Sequence, residues 1–129
     1  MIENFEQLHN VWKTNKALDS TRINLTFDDL TNSIMSTGPF SFYVIDFFDM
    51  SLSHISPSNF DMFDFDPETL TFNAVLATIH PDDVEFVVKA EAFLTRFFYE
   101  KIGSDKLLSY KISYSHRARF KGGEYALIN

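Results

Sequence analysis

Four histidines, eighteen carboxylates and no cysteine bound the chemistry open to this chain. The densest grouping is His80-Pro81-Asp82-Asp83, where an imidazole and two carboxylates offer the ingredients of an acid–base pair or a metal site. The same residues also satisfy a simpler demand. A chain entering a helix through Pro81 needs an acceptor for its first unpaired N–H groups, and Asp82 or Asp83 supplies one. Cap logic accounts for the whole motif, so it is read as a helix start. His54 and His116 fall on expected strands with nothing at metal-ligand spacing beside them. The carboxylate pairs Asp28/Asp29, Asp64/Asp66 and Asp82/Asp83 have no nucleophile, oxyanion donor or phosphate loop in company, so helix starts and solvated loops explain them better than glycosidase or phosphatase work. Without cysteine, disulfides, thiolate nucleophiles and Cys-ligated metals are excluded. No enzyme is expected; a small α+β hydrolase built on His80, Asp82 and Asp83 is the lesser alternative.

The 129 residues suffice for one domain with a real core, and fifteen Phe make that core, or a cavity within it, aromatic. The charge is divided unevenly. Residues 1–100 carry 16 acids against 5 Lys and Arg, whereas residues 101–129 carry 2 against 6, giving −11 and +4. An acidic body repels phosphate backbones, so no direct nucleic-acid contact is expected, and Lys111, Arg117 and Arg119 read as the solvated face of a strand. No apolar stretch approaches the roughly 20 residues that span a bilayer, and no basic start leads into an apolar block; no membrane contact and a cytoplasmic location are expected.

The elements that must position these residues follow from periodicity. From Glu3 to Leu18, Phe5, Leu8 and Trp12 share one helical stripe, which must cover the outer face of a sheet or a partner chain. After a polar loop at Asp19 to Asn24, Thr26 and Asp29 resemble a capping box for a second helix with Phe27, Leu30 and Ile34 as its stripe, stopped by Gly38-Pro39. From Phe40 to Phe47 both alternating sets are apolar, which predicts a strand covered on two faces. Asp49-Met50-Ser51 turns it into a second strand, Leu52 to Ser56, ended by Pro57. Short helices follow, with caps at Asp66-Pro67 and at Thr71. The longest helix runs from Pro81 to Gly103, with Phe86, Ala90, Phe93, Leu94, Phe97 and Phe98 on one broad face. Leu108, Tyr110, Ile112 and Tyr114 then alternate with polar residues as a strand, and Lys121-Gly122-Gly123-Glu124 turns the chain into a last strand, Tyr125 to Ile128.

This order, with Phe42 to Asp46, His54-Ile55-Ser56-Pro57, Ile79-His80-Pro81-Asp82-Asp83 and Tyr110 to Phe120 as matching points, resembles the PAS sensor fold. More narrowly, the leading helices with Ser36 to Phe40 and Phe42 to Asp46 resemble the N-terminal PAS regions of LuxR-type transcription regulators of Bacteroidetes. The resemblance implies an α+β domain over residues 39–129: an antiparallel sheet with the long helix and short helices on one face, flanked by N-terminal helices in residues 1–38. It implies a non-catalytic sensor and signalling module of a bacterial regulator, working as a homodimer. PAS sheets have five strands and this chain supplies four, so the resemblance also implies a missing final strand, with the first and last strands present closing on each other or on a neighbouring molecule.

For function, Phe42, Val44, Phe86, Ala90, Phe93, Phe97, Tyr110, Ile112 and Tyr114 either line a pocket for a small apolar or aromatic ligand or fill a solid core. In the pocket reading, Phe93 and Phe97 approach Tyr110 and Ile112. In the solid-core reading, the chain is a ligand-free dimerisation scaffold. Phe5, Leu8 and Trp12 cover the sheet or the dimer partner. The light-sensing flavin and cinnamoyl members of the PAS family need a cysteine, which rules out those covalent chromophores here, and lone strand histidines do not point to heme.

Overall fold

The computed structural model describes residues 2–16, 26 and 38–129. The second helix expected from the Thr26/Asp29 box and the Phe27, Leu30, Ile34 stripe lies outside the described residues, Thr26 itself excepted. Helix α1 (Ile2–Lys16) opens the chain; β1 (Val44–Asp46) and β2 (Ser51–Ser53) form a hairpin; α2 (Ser58–Met62) and α3 (Phe72–Leu76) are single turns. A 3-10 turn at Pro81–Asp83 leads into α4 (Val84–Phe97), and β3 (His116–Arg119) and β4 (Tyr125–Ile128) form a second hairpin. The architecture is α+β.

Local chemistry sets each boundary. In the first hairpin the Asp46 carboxylate accepts from the Phe48 N–H at 2.9 Å, and its carbonyl accepts from Met50 at 2.7 Å. That closes a tight connection in which Met50 takes a φ of 60°. Thr71 caps α3 as expected, its Oγ1 accepting from Ala74 at 3.2 Å. Asp66 makes the equivalent bond to Glu68 at 2.9 Å, but only a turn follows, since the apolar residues that make a helix worth packing begin at Phe72. The long helix continues from α4 through a π turn at Phe98–Ile102 and stops at Gly103, whose φ of 94° a side chain disfavours. In the second hairpin Gly122 and Gly123 both take φ near 91°, which carries the chain from Arg119 back to its partner Tyr125.

Two strand expectations need correction. Of Phe40 to Phe47, only Val44 to Asp46 pairs in a ladder, because Phe42 is held instead by Ser56 and Asn59. The alternation from Leu108 to Tyr114 does not make a strand: residues 104–109 form a 3-10 turn, 110–115 run without ladder pairing, and pairing begins at His116. Period-2 spacing is not enough where, among the described residues, no neighbouring strand pairs alongside. Nor do β1 and β4 pair with each other. Among the described residues each hairpin is its own two-stranded sheet, and the other edge of β3 is taken by the Thr78–His80 segment, through an Ile79–Ala118 bridge and bonds from His80 to Arg117 and from Arg119 to Thr78.

The core gathers Leu8 and Trp12 of α1 with Phe72, Leu76, Ile79, Val84 and Val87, and Tyr43, Ile45 and Leu52 of the first hairpin pack against it. Each such side chain taken from water contributes about 1.5 to 3 kcal/mol. Helix α1 lies directly on α4 rather than across a sheet from it. A smaller cluster, Phe63 with Phe65 and Phe120, joins α2 to the turn of the second hairpin, where the Lys121 N–H donates to Met62 at 2.9 Å.

Candidate functional site

Helix α4 has two apolar stripes, and the core takes the less obvious one. Val84, Val87, Glu91, Leu94 and Phe98 recur at three and four residues, and Val84, Val87 and Phe98 are buried. Phe86, Phe93 and Phe97 lie on the outer side, with Phe93 68% and Phe86 51% exposed. The expectation that Phe93 and Phe97 close on Tyr110 and Ile112 is therefore corrected. Phe93 and Phe97 stack on each other at 6.5 Å, Tyr110 meets Phe98 instead, and Tyr110 and Ile112 are exposed. Ala90 is half-buried between the two stripes. On β1 the parity is likewise opposite to that expected: Tyr43 and Ile45 pack on the core, whereas Phe42 stacks on Phe40 and Val44 pairs across to Ser53, both half-buried. On β1 apolar residues on both parities leave periodicity nothing to choose between, and on α4 the apolar face is broad enough to hold both stripes.

Of the expected pocket residues only Tyr114 comes into the interior, and it does so with a residue the sequence reading passed over. The Tyr114 hydroxyl donates to Glu91 Oε1 at 2.5 Å, and the indole Nε1 of Trp12 reaches Glu91 Oε2 at 3.4 Å, a long contact. Thus one carboxylate on α4 receives neutral donors from α1 and from the segment after the long helix. Tyr43 lies beside them, and burial followed by the nearby Glu91 charge pushes its hydroxyl pKa upward. Tyr114 is pushed up further, by burial first and then by its bond to Glu91, so it stays a donor at any physiological pH. Phe86 contacts the Tyr114 ring edge-on at 6.1 Å, which places Tyr114 between the exposed Phe face and the Glu91 cluster.

Leu8 is completely buried and Trp12 nearly so, stacked on Phe47 at 5.5 Å and tilted on Phe72 at 5.2 Å, while Phe5 is half-buried against the same core. These three pack on their own hairpin and α4. His9 adds a bond between its Nε2 and Asn73 Oδ1 at 3.0 Å.

At the helix entry the roles within the motif are exchanged. His80, not an aspartate, caps: its Nδ1 accepts from the Asp82 N–H at 3.1 Å, which requires that nitrogen to be unprotonated. Asp82 is solvated, and Asp83 turns to Arg117, accepting at 2.7 Å from Nη2, 2.9 Å from Nε and 2.8 Å from the backbone N–H. These bonds, the guanidinium's first, hold the Asp83 carboxyl well below the usual carboxylate range. The fork explains why Arg117 is not simply a solvated strand cation. His80 also packs edge-on against Tyr125 at 4.5 Å, so this junction anchors both β3 and β4. His116 bonds its own chain at Arg117 O and His54 bonds Ser53, each as a local contact. Among the described residues no three His or acidic side chains converge at metal-binding distance.

Comparison with protein-family models, curated proteins and solved structures finds no match to this chain. No helix among the described residues is long and apolar enough to cross a membrane.

Proposed function

We propose that this chain is a non-catalytic, PAS-like signalling module that works by pairing with a second copy of itself through the outer face of α4. The observation that carries this reading is the exposure of Phe86, Phe93 and Phe97, three large aromatics at positions i, i+7 and i+11 of one helix, with Tyr110 and Ile112 exposed on the segment that follows. Soluble proteins rarely leave such side chains together in water unless another surface takes them. Charge favours a like copy as that surface. Within α4 Glu85 is already held by Lys89 at 2.8 Å, so the complementarity lies between the acidic body of net −11 and the basic stretch 101–129 of net +4, which a two-fold antiparallel pairing sets against each other. The engagement of both Asp83 oxygens by Arg117 supports a structural rather than catalytic use of His80-Pro81-Asp82-Asp83. Resemblance to the sensor region of a LuxR-type regulator supports placing the module in transcriptional signalling. The open disposition of Phe93 favours a polypeptide over a small enclosed ligand.

Sedimentation velocity over a concentration series tests this. The chain is expected to sediment as a dimer that high salt weakens, and Phe93→Ser with Phe97→Ser to give a monomer with an unchanged far-ultraviolet spectrum. A chain that stays monomeric at its highest soluble concentration, or a double variant that still dimerises, refutes the reading.

A further inference from the structure

Glu91 is the point at which three separate parts of the chain meet. Helix α1 reaches it through Trp12 Nε1, α4 contributes its backbone, and the 110–115 segment reaches it through the Tyr114 hydroxyl. Each oxygen of the carboxylate has a different partner, so moving one donor leaves the carboxylate free to rotate and rehydrate, and the other bond weakens with it. The two bonds are unequal. Tyr114 makes the short one at 2.5 Å and fixes the carboxylate; Trp12 makes the long one at 3.4 Å and depends on where Tyr114 has set it. Tyr114 in turn has its ring edge against Phe86, which is half exposed and belongs to the outer face. A continuous set of contacts thus leads from the exposed aromatic face to the seat of α1: Phe86, Tyr114, Glu91, Trp12.

We propose that Glu91 is a positioning latch: by holding Trp12 and Tyr114 on its two oxygens, it makes the seating of α1 depend on the position of Tyr114, and so on what presses on Phe86. The last step rests on the pairing surface proposed above; the latch itself does not. A partner that displaces the Phe86 ring moves Tyr114, loosens the carboxylate and lowers the hold on α1, so that interaction on one side of α4 is read out as helix release on the other. Simple packing of α1 through Leu8 would give no such dependence, because Leu8 is buried among aliphatic and aromatic neighbours that Tyr114→Phe leaves in place.

The sole tryptophan gives a single indole N–H resonance, which reports the Glu91 bond directly. Tyr114→Phe removes one oxygen and keeps the ring. At dilutions where the protein is monomeric, it is expected to shift the Trp12 indole resonance and to speed amide exchange across Phe5 to Lys13 about tenfold, with the β3–β4 amides changed much less. Glu91→Gln, which keeps the shape and one acceptor, gives the same pattern and serves if the first variant folds poorly. Trp12→Phe costs less in the Tyr114→Phe background than in the wild type. Phe86→Ala shifts the indole resonance in the same direction. The latch is overturned if Tyr114→Phe leaves the indole signal and α1 exchange unchanged, if exchange rises evenly over the whole chain, or if the two substitutions are additive. An indole shift in a chain that never dimerises would leave the latch standing and remove only the pairing surface.

Discussion

Replacing Asn59 with aspartate exchanges one NH2 for one oxygen, and the structure makes that small change expensive. Asn59 is 2% exposed, and its Nδ2 donates to the Phe42 carbonyl at 2.9 Å and to the Ser56 carbonyl and Ser56 Oγ at 3.0 Å each. Two of these acceptors are backbone carbonyls, which fixes the orientation of the amide. None is orphaned when the amide is lost: Phe42 O keeps the Ser56 N–H at 3.0 Å, Ser56 O keeps the Asn59 N–H at 3.1 Å, and Ser56 Oγ keeps the Phe42 N–H at 3.0 Å. Asn59→Leu therefore forfeits the two N–H groups of the amide and costs about 1 to 3 kcal/mol. Asn59→Asp does more, because it points a buried charge at two carbonyl oxygens, with only the Ser56 hydroxyl, already bonded to Ser58 Oγ at 2.8 Å, able to turn a hydrogen toward it, at about 3 to 5 kcal/mol. Against a typical domain stability of about 5 to 15 kcal/mol, that is a large share. Urea melts should show both variants losing midpoint with an unchanged slope. The aspartate variant should recover part of its deficit at mildly acidic pH, where the introduced carboxyl gains a proton it can donate. An aspartate variant no less stable than the leucine variant would refute the reasoning.

Leu8→Ala should cost about 2 to 5 kcal/mol and red-shift Trp12 fluorescence, since Leu8 is wholly buried beside that ring's seat; an unchanged melt would mean α1 contributes nothing to stability. Asp83 has a folded pKa held below its ordinary value by Arg117, so its contribution is present above the ordinary carboxylate pKa and lost as pH falls through the folded value. Asp83→Asn should accordingly lower stability at neutral pH and flatten the acid limb of the stability curve; a parallel curve would contradict the assignment.

The order of elements was legible in the sequence wherever a local signal was unambiguous. Thr71 as a cap, the Gly122-Gly123 turn and the Gly103 stop each rest on a residue with one conformational use. Faces were harder. On α4, Phe86, Phe93 and Phe97 draw the eye as the core stripe, yet Val84, Val87 and Phe98 make it, and a carboxylate at position 91 disguises that stripe. The spacing of Val84, Val87, Glu91, Leu94 and Phe98 was the available signal, but a carboxylate in the middle of it interrupts the apolar run. On β1, apolar residues on both parities left Tyr43 and Ile45 indistinguishable from Phe42 and Val44. The cap exchange at His80 was hidden for another reason: Asp83 had a distant competitor in Arg117, 34 residues away, which no local pattern encodes.

The two hairpins and the docking of α1 are built on different scales of chain separation, and that has a consequence for the order of assembly. Val44 finds Ser53 across nine residues and Arg119 finds Tyr125 across six, distances at which hairpins form in about 1 to 10 μs. Trp12 must find Glu91 across 79 residues, and the added closure entropy over a nine-residue loop is about 2 kcal/mol. Its seat is also composite, drawn from Phe47 of the first hairpin, Phe72 of α3 and Glu91 of α4, so no seat exists until all three have come together. Among the described helices, α1 is thus made before the others and placed after them. During synthesis α1 leaves the ribosome with its apolar stripe uncovered and waits until the chain has emerged as far as Glu91 before it can bury it.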